Sequence, residues 1–356
     1  MSSQTAGQVC AHHHLYSTLA RGMPAPNRTS GSFLEILQDI WWRLDAALDL
    51  DMIYWSAKLG ATEALMSGTT CIIDHHESPN CIEGSLSTIA RACAEVGVRV
   101  NACYGVTDRF SNQNQLLSKV SPLSKTTDGA ARGLTECDDF LSSGGRGMVG
   151  VHAAFTCSDE TLHSAAELAK KHSVGVHIHV AEGPEDSQAG ARLEKIAHDD
   201  WLLVHGVHLD RDIKGYLVHN PRSNMNNAVG YAKPTRRNNR VLLGTDGIGA
   251  DMNDEARLAY TRLREFDVTE NPATVWSWLA NGYDFFPEAR HDKVTYNYDF
   301  ADSPWHSAFT TNLHVLSVEV DGEKVLQDGR PTRVDLDEVR SRANEQAVRL
   351  HKRLEN

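Results

Sequence analysis

The chain has 356 residues, a formal net charge of −12 at pH 7 and seven cysteines. This acidic balance, and the lack of a basic cluster interleaved with aromatic residues, argue against a nucleic-acid partner. An odd number of cysteines without a CxxC pair suits a reducing compartment better than a disulfide framework. No apolar run reaches the ~20 residues that span a bilayer, and no secretory leader opens the chain. Composition therefore predicts a soluble, cytoplasmic protein that acts on a small molecule, with neither a membrane nor nucleic acid as partner.

Short apolar strands alternate with helical segments over the first two thirds of the chain. The strand candidates are the eight runs "VCAHHH", "TTCIIDHH", "VRVNACYGV", "GMVGVHAAF", "VGVHIHVAE", "WLLVHG", "YLVHN" and "RVLLGTDG". Strands separated by helical crossovers are parallel, and eight such strands close a barrel. The rhythm therefore predicts an α/β fold of the (β/α)8 TIM type, which we assign to residues 8–284.

The pattern changes from Phe285 onward, where Pro, Asp, Tyr and Asn accumulate and the alternation stops. The run "HVLSVEVDGEKVLQDG" predicts a β-hairpin on its Asp-Gly turn. Apolar residues at helical spacing from Leu336 to Leu354 predict an amphipathic helix. Residues 285–356 are therefore expected to form a separate small β element followed by a C-terminal helix.

A histidine or an aspartate stands at the end of nearly every predicted strand. These residues are His12, His14, Asp74, His75, His76, His152, His177, His179, His205, His219 and Asp246. A single histidine after a strand is more often a core or surface group than a ligand, but the carboxyl ends of barrel strands converge on one face. Alternation along a strand places His12 and His14 together and leaves His13 in the barrel wall. Two imidazoles on one face make half of a tetrahedral metal shell, so the pattern favours a metal site.

Four motifs resemble the amidohydrolase superfamily, in its deaminase and chlorohydrolase branch: HxH at the first strand, "HVAE" at the fifth, "VHG" at the sixth and "GTDG" at the eighth. The chain is similar in particular to the aminohydrolases of bacterial selenium and purine-catabolism clusters, through "VCAHHHLYSTLARG", "HNPRSNMNNAVGY" and "GTDGIGADM". The metal ligands that this resemblance implies are His12, His14, His179 and Asp246. The catalytic residues that it implies are Glu182, His205 and Asp246. It also implies that the C-terminal hairpin is the remnant of a small β-sandwich.

The chemistry of these residue types agrees with that implication. Neutral imidazoles with one carboxylate suit Zn²⁺ or Fe²⁺, and an open position admits a water that loses its proton near neutral pH. Asp246 can accept that proton, Glu182 can shuttle protons to a ring nitrogen, and His205 can hold the developing oxygen by a hydrogen bond. Relatives with two metals bridge them by a carboxylated lysine after the fourth strand, and residues 126–169 contain no lysine. We therefore expect one divalent ion, zinc foremost and iron as the alternative.

Further polar residues at or just beyond the strand ends are candidates for contacts with the substrate. They are His75, His76, Arg109, His152, Arg222 and Asn224. Such groups could hydrogen-bond to the edge of a heterocycle, or else hold the metal ligands in place and cap loops. Trp41 and Trp42 have apolar neighbours at helical spacing, and we expect them in the core or at an interface rather than stacked on a substrate ring. The lack of a GxSxG motif disfavours a serine hydrolase.

The function that the resemblance implies is hydrolytic removal of an exocyclic amine, as ammonia, from a purine-, pterin- or triazine-like ring. Two alternatives stay open, namely hydrolytic dechlorination of a triazine-like ring and a truncated, non-catalytic, metal-binding homologue. The second arises because the chain begins almost at the HxH motif, without the N-terminal segment usual in this branch. A late start codon, a trimmed form or a decayed gene product would each explain this, although decay has no reason to keep Glu182. Without that segment the hairpin would expose a strand edge, so a homodimer is also expected.

Overall fold

The strands and helices follow one another in the order expected of a parallel barrel with a small added sheet. The computed structural model describes residues 3–110 and 125–355. The strands are β1 (Gln4–Thr5), β2 (Gln8–His14), β3 (Thr69–His76), β4 (Arg99–Val106), β5 (Val149–Ala153), β6 (Val176–Val180), β7 (Leu202–His205), β8 (Tyr216–His219), β9 (Val241–Leu243), β10 (Asp246–Gly247), β11 (Lys293–Tyr296), β12 (Val315–Val320), β13 (Glu323–Gln327) and β14 (Arg330–Pro331). The helices are α1 (Phe33–Ile36), α2 (Trp42–Ala47), α3 (Leu50–Met66), α4 (Ser85–Val96), α5 (Asp128–Ser142), α6 (Asp159–His172), α7 (Ala189–Leu193), α8 (Pro221–Asn226), α9 (Met252–Phe266), α10 (Pro272–Ala280), α11 (Pro304–Phe309) and α12 (Leu336–Leu354).

One sheet of parallel strands forms the barrel, and the fold class predicted from the sequence is confirmed. Its strands are hydrogen-bonded in the order β10-β2-β3-β4-β5-β6-β7-β8-β9. Strand β3 is buried along its whole length, as expected of a parallel strand with side chains packed inside the barrel and helices outside. Because every pair is parallel, the carboxyl ends of the strands lie at one end of the barrel. The residues singled out in the sequence therefore meet at that end.

The eighth predicted strand is broken into β9 and β10, and the break closes the barrel. The backbone N–H of Thr245 donates to the carbonyl of His12 at 3.0 Å, and Asp246 lies opposite His13 in a parallel pair. A Cβ on Gly244 would lie 2.5 Å from Oδ1 of Asn220 and 2.7 Å from Cβ of His12. Only glycine permits this close approach. The break thus brings Asp246 beside the strand that carries the HxH motif.

A second, antiparallel sheet with the order β1-β11-β12-β13-β14 contains the predicted hairpin. The hairpin turns at Asp321 and Gly322, whose φ angles of 52° and 79° are those of a two-residue hairpin turn. Within the hairpin, β12 pairs with β11 on one side and with β13 on the other, whereas the outer side of β13 pairs with β14 only at Leu326 and Gln327. Strand β1 pairs with β11 at the opposite end of the sheet. The small sheet therefore combines residues from both ends of the chain.

The C-terminal helix forms as predicted and packs back onto the barrel. The side chain of Asp335 caps α12 by accepting from the backbone N–H groups of Asp337 and Glu338, and basic residues occupy its last turn. Arg349 and Arg353 donate to the carboxylate of Asp49 at 2.8 and 2.7 Å. Asp49 is itself the N-cap of α3, so these ion pairs tie the end of the chain to a barrel helix. None of the described helices is both long and apolar enough to cross a membrane.

Candidate active site

The histidines and the aspartate at the ends of β2, β6 and β10 converge on one point of the barrel mouth. Oδ1 of Asp246 lies 3.4 Å from Nε2 of His12 and 3.1 Å from Nε2 of His14. Nε2 of His179 lies 3.2 Å from Nε2 of His14. The structure therefore brings together all four side chains that the sequence motifs implied as metal ligands.

The hydrogen bonds of these imidazoles leave their Nε2 lone pairs facing one another. Nδ1 of His14 is 2.6 Å from the carbonyl of His75, and Nδ1 of His179 is 2.5 Å from the carbonyl of His152. A carbonyl only accepts, so Nδ1 carries the proton in both rings and Nε2 is free to bind a cation. Nε2 of His12 is buried and makes no hydrogen bond within the described ranges. This donor set, three imidazole nitrogens and a carboxylate, fits a divalent metal ion.

The electrostatics of the cluster also suit a cation. Burial holds the pKa of His12 well below its usual value and lowers that of His179 to about 3, so both rings are neutral. At His14 the carboxylate of Asp246 outweighs burial and raises the pKa. Burial opposes ionisation of Asp246, but the imidazoles of His12 and His14, whose Nε2 atoms lie 3.4 and 3.1 Å from its Oδ1, hold its pKa well below the usual range. A carboxylate that is ionised among buried imidazoles creates a position where positive charge is favoured.

Glu182 and His205 lie beside this cluster. Oε2 of Glu182 is 3.3 Å from Nε2 of His205, and Oδ2 of Asp246 is 4.0 Å from the same nitrogen. Burial raises the pKa of Glu182 well above its usual range, and the charge of Asp246 adds to this effect. The contacts of His205 also place its Nε2 within 4.8 Å of candidate ligand atoms of His12, His179 and Asp246. The geometry thus adds His205 to the candidate ligands, a role that the sequence motifs did not imply.

Two of these residues have backbone conformations that non-glycine residues rarely adopt. The φ angles of His205 and Asp246 are +73° and +59°. Such conformations cost of order 1–3 kcal/mol each and persist only where surrounding contacts hold them. Because both conformations occur at one site, we infer that the surrounding contacts hold the backbone there so that these two side chains point to the cluster.

A cavity opens beside the cluster. Its walls are formed by the cluster residues on one side and by aromatic and acidic residues on the others. Those further lining residues include Tyr16, Phe33, Leu37, Trp41, Trp42, Asp45, Glu77, His152, Phe155 and Asp186. Trp42 is buried in the core and Trp41 packs against it, as expected, and both also line the cavity. Helical periodicity identifies a buried face, but it does not say whether that face meets a core or a cavity.

A buried ionic group forms the acidic wall of the cavity. Arg109 is paired with Glu77, and its Nη2 lies 3.7 Å from Oδ2 of Asp45. The guanidinium carbon stands 4.4 Å from the centre of the Trp42 ring. Burial raises the pKa of both Asp45 and Glu77. Two carboxyl groups share one guanidinium, so Arg109 does not engage all four of their oxygens.

Sequence reasoning missed both of these acids. Glu77 follows the strand-end run "DHH" by one residue and would have been found by extending that search by one position. Asp45 lies on α2 among apolar residues, and no local pattern marks it.

The residues predicted to contact the substrate occupy different places. His152 lines the cavity, and its Nε2 is 3.5 Å from Oε1 of Glu77. The described lining does not include the other five, His75, His76, Arg109, Arg222 and Asn224. His75 contacts the carbonyl of Val151 at 3.1 Å, and His76 contacts the hydroxyl of Ser78 at 2.8 Å. For these residues the geometry favours the bracing role that the sequence left open.

The barrel, the histidine and aspartate cluster and the adjoining cavity define a metal-dependent hydrolase. The sequence profile of the Amidohydrolase family matches residues 4–279, and the chain belongs to this family. It lies in the deaminase and chlorohydrolase branch, as its motifs predicted, and is a metal-dependent hydrolase of carbon–nitrogen bonds.

Known proteins similar to this chain are deaminases and triazine hydrolases. The 5'-deoxyadenosine deaminase of Methanococcus vannielii is 27% identical over 393 residues, which cover 97% of this chain and 88% of that protein. The 5'-deoxyadenosine deaminase of Methanopyrus kandleri is 30% identical over 278 residues, with coverages of 71% and 60%.

Two solved structures share the fold. The adenosine deaminase from Xanthomonas campestris with bound zinc has a TM-score of 0.80 at 19% identity and covers 99% of this chain and 86% of its own. The atrazine chlorohydrolase from Arthrobacter aurescens TC1, complexed with zinc, has a TM-score of 0.78 at 17% identity, with coverages of 97% and 88%. At these identities the likeness is one of fold.

Proposed function

We propose that this protein is an aminohydrolase with a single zinc ion, which exchanges the exocyclic amine of an adenine nucleoside for oxygen. The reaction consumes one water and releases one ammonia. The observation that carries the proposal is the position of Glu182, a buried acid beside the metal cluster and on the wall of the cavity. Relatives named 5'-deoxyadenosine deaminases, which match nearly the whole chain, support an adenine ring as the substrate.

The support for one ion comes from the donor atoms. The two groups of candidate ligands, one with His12, His205 and Asp246 and the other with His14 and His75, share His179. Two ions would compete for the same imidazole, so the groups are better read as one centre. Zinc is supported by the donor set of imidazoles and one carboxylate, which suits it.

The two carboxyl groups of the site have opposite protonation states, which divides the proton transfers between them. A divalent metal held by the cluster supplies Lewis-acid activation of water. Glu182 carries a proton because burial raises its pKa, and it donates this proton to a ring nitrogen of the heterocycle. Asp246 is ionised and accepts a proton from the attacking water. Returning that proton to the exocyclic nitrogen lets the amine leave as ammonia, and the second proton of the water restores Glu182 as the new carbonyl forms.

The walls of the cavity favour a nucleoside over a chlorinated triazine. Aromatic side chains such as Trp41 and Phe155 suit the flat face of a purine. The acidic wall adds the carboxyl groups of Asp45 and Glu77. The hydroxyl groups of a sugar can hydrogen-bond to such groups, whereas the alkyl groups of a triazine cannot.

The proposal is tested by metal analysis followed by a substrate panel. Zinc per chain is measured on the purified protein, and ammonia release is measured with 5'-deoxyadenosine, adenosine and adenine, and chloride release with atrazine. We expect close to one zinc per chain and ammonia from the nucleosides. Chloride from atrazine without ammonia from any nucleoside would make the protein a dechlorinase, and a zinc-loaded, folded protein that turns over nothing would make it a non-catalytic homologue.

A further inference from the structure

One short segment, residues 222–227, contacts Asp246, His205 and Glu182, the three catalytic residues that the sequence motifs implied. We call it the α8 segment, because it comprises Arg222–Asn226 of α8 and the following Asn227. The hydroxyl of Ser223 donates to Oδ2 of Asp246. Oδ1 of Asn224 accepts from Nδ1 of His205 at 2.8 Å.

The third contact reaches Glu182. Nδ2 of Asn227 donates to Oε1 of Glu182 at 3.4 Å and lies 3.4 Å from Oγ of Ser223. Ser223 and Asn227 are four residues apart, the spacing that places two side chains on the same face of a helix. The two carboxyl groups of the mechanism are therefore joined through two neutral side chains of one segment.

The α8 segment is anchored to the strand that carries Asp246. Nη2 of Arg222 donates to the carbonyls of Thr245 and Gly247 at 2.6 and 2.8 Å. These are the residues on either side of Asp246, so the guanidinium clamps the backbone that holds Asp246 in its left-handed conformation. Glu255 completes the anchor, because its carboxylate accepts from the backbone N–H of Arg222 at 2.8 Å and lies 3.4 Å from Nε.

We propose that the α8 segment is the positioning element of the active site, in which Ser223 orients Asp246, Asn224 orients His205 and Asn227 orients Glu182. Arg222 and Asn224 then act through these residues and do not contact the substrate. The assignment of the three target residues rests on the proposed function. The physical reason for such an element is that reacting groups must be held within about 0.5 Å of their productive places by residues that are themselves locked.

The proposal predicts different consequences for two residues of the same segment. Asp246 is a candidate ligand, so Ser223→Ala should weaken zinc affinity about 10–100-fold, the usual effect of losing a partner of a ligand. Ser223→Thr keeps the hydroxyl and should restore the affinity. Glu182 is in neither ligand group, so Asn227→Ala should leave zinc affinity unchanged and lower kcat about 10–100-fold.

The experiment compares these three variants with Met225→Ala, a control at a 42% exposed side chain of the same helix. Zinc affinity is measured by competition with a chromogenic chelator, kcat and KM with 5'-deoxyadenosine, and folding by the midpoint of thermal unfolding. The inference is overturned if Ser223→Ala binds zinc as tightly as the unchanged protein. It is also overturned if both Ser223→Ala and Asn227→Ala lower zinc affinity, kcat and the unfolding midpoint together. Such a joint loss would mean that the helix only supports the fold. The zinc arm needs no turnover, so it tests the positioning role even if the deaminase function fails.

Discussion

Replacing Glu182 by glutamine removes an acidic proton while it preserves the size of the side chain. Glu182 is 12% exposed and lies 3.3 Å from Nε2 of His205, so a glutamine can occupy the same space. A positioned general acid typically contributes 10²–10⁴-fold to the rate. We therefore expect kcat to fall by about 10²–10⁴-fold, equivalent to about 3–5 kcal/mol of transition-state stabilisation. Zinc per chain should stay the same, because Glu182 belongs to neither candidate ligand group.

The assay measures ammonia release from 5'-deoxyadenosine and zinc content on the same preparation. Glu185→Gln is the matched control, since Glu185 is exposed, lies three residues further along and does not line the cavity, and its kcat should equal that of the unchanged protein. A Glu182→Gln variant that loses zinc would show that Glu182 is a ligand. A variant that keeps its zinc and retains kcat within tenfold would refute the role of Glu182 as the proton donor.

Three further predictions concern the metal and the acidic wall. Zinc added at 100 times its Kd should raise the free energy of unfolding of the metal-free protein by about 2.7 kcal/mol. An unfolding midpoint that responds neither to chelator nor to zinc would contradict a zinc site in the folded protein. His177→Leu should weaken zinc affinity about 10–100-fold, because Nε2 of His177 lies 2.8 Å from Nδ1 of His12 and orients that ring. The control His163→Ala, on the exposed face of α6, should leave zinc affinity unchanged in the same chelator competition. Asp45→Asn should raise KM for 5'-deoxyadenosine about 10-fold through loss of a hydrogen bond to the sugar. Steady-state kinetics would speak against a sugar contact if KM for adenine rose equally.

The cluster at the barrel mouth could be predicted from the sequence because strand geometry gathers the strand-end residues there and the family motifs imply which four of them form it. Alternation along β2 sets His12 and His14 apart from His13, whose Nδ1 instead contacts the backbone carbonyl of Asp246 at 2.7 Å. Parallel pairing then brings the carboxyl ends of distant strands together, so His179 and Asp246 join them.

Cytoplasmic localisation and a homodimer stay predictions.

The contacts around the cluster could not be predicted in the same way. Asp45, Glu77 and Arg109 come from three different elements, and nothing in their local patterns says that they share one ion-pair network. Arg222 and Asn224 were recognisable as polar residues near a strand end. Their partners, the carbonyls of Thr245 and Gly247 and the ring of His205, became known only from the folded chain.

The sequence by itself therefore determined the barrel, the side of it that carries the chemistry, and the residues that reach the metal cluster. The first two depend on strand periodicity and parallel pairing, which every residue of a strand obeys, and the choice of the cluster residues came from the family motifs. The tertiary structure decided the shape of the cavity, the place of Trp41 and Trp42 on its wall, and the contacts of the α8 segment. The physical reason is that a pattern along the chain tells which side chains are buried, whereas hydrogen bonds and cavities depend on which buried side chains come within about 3 Å of one another.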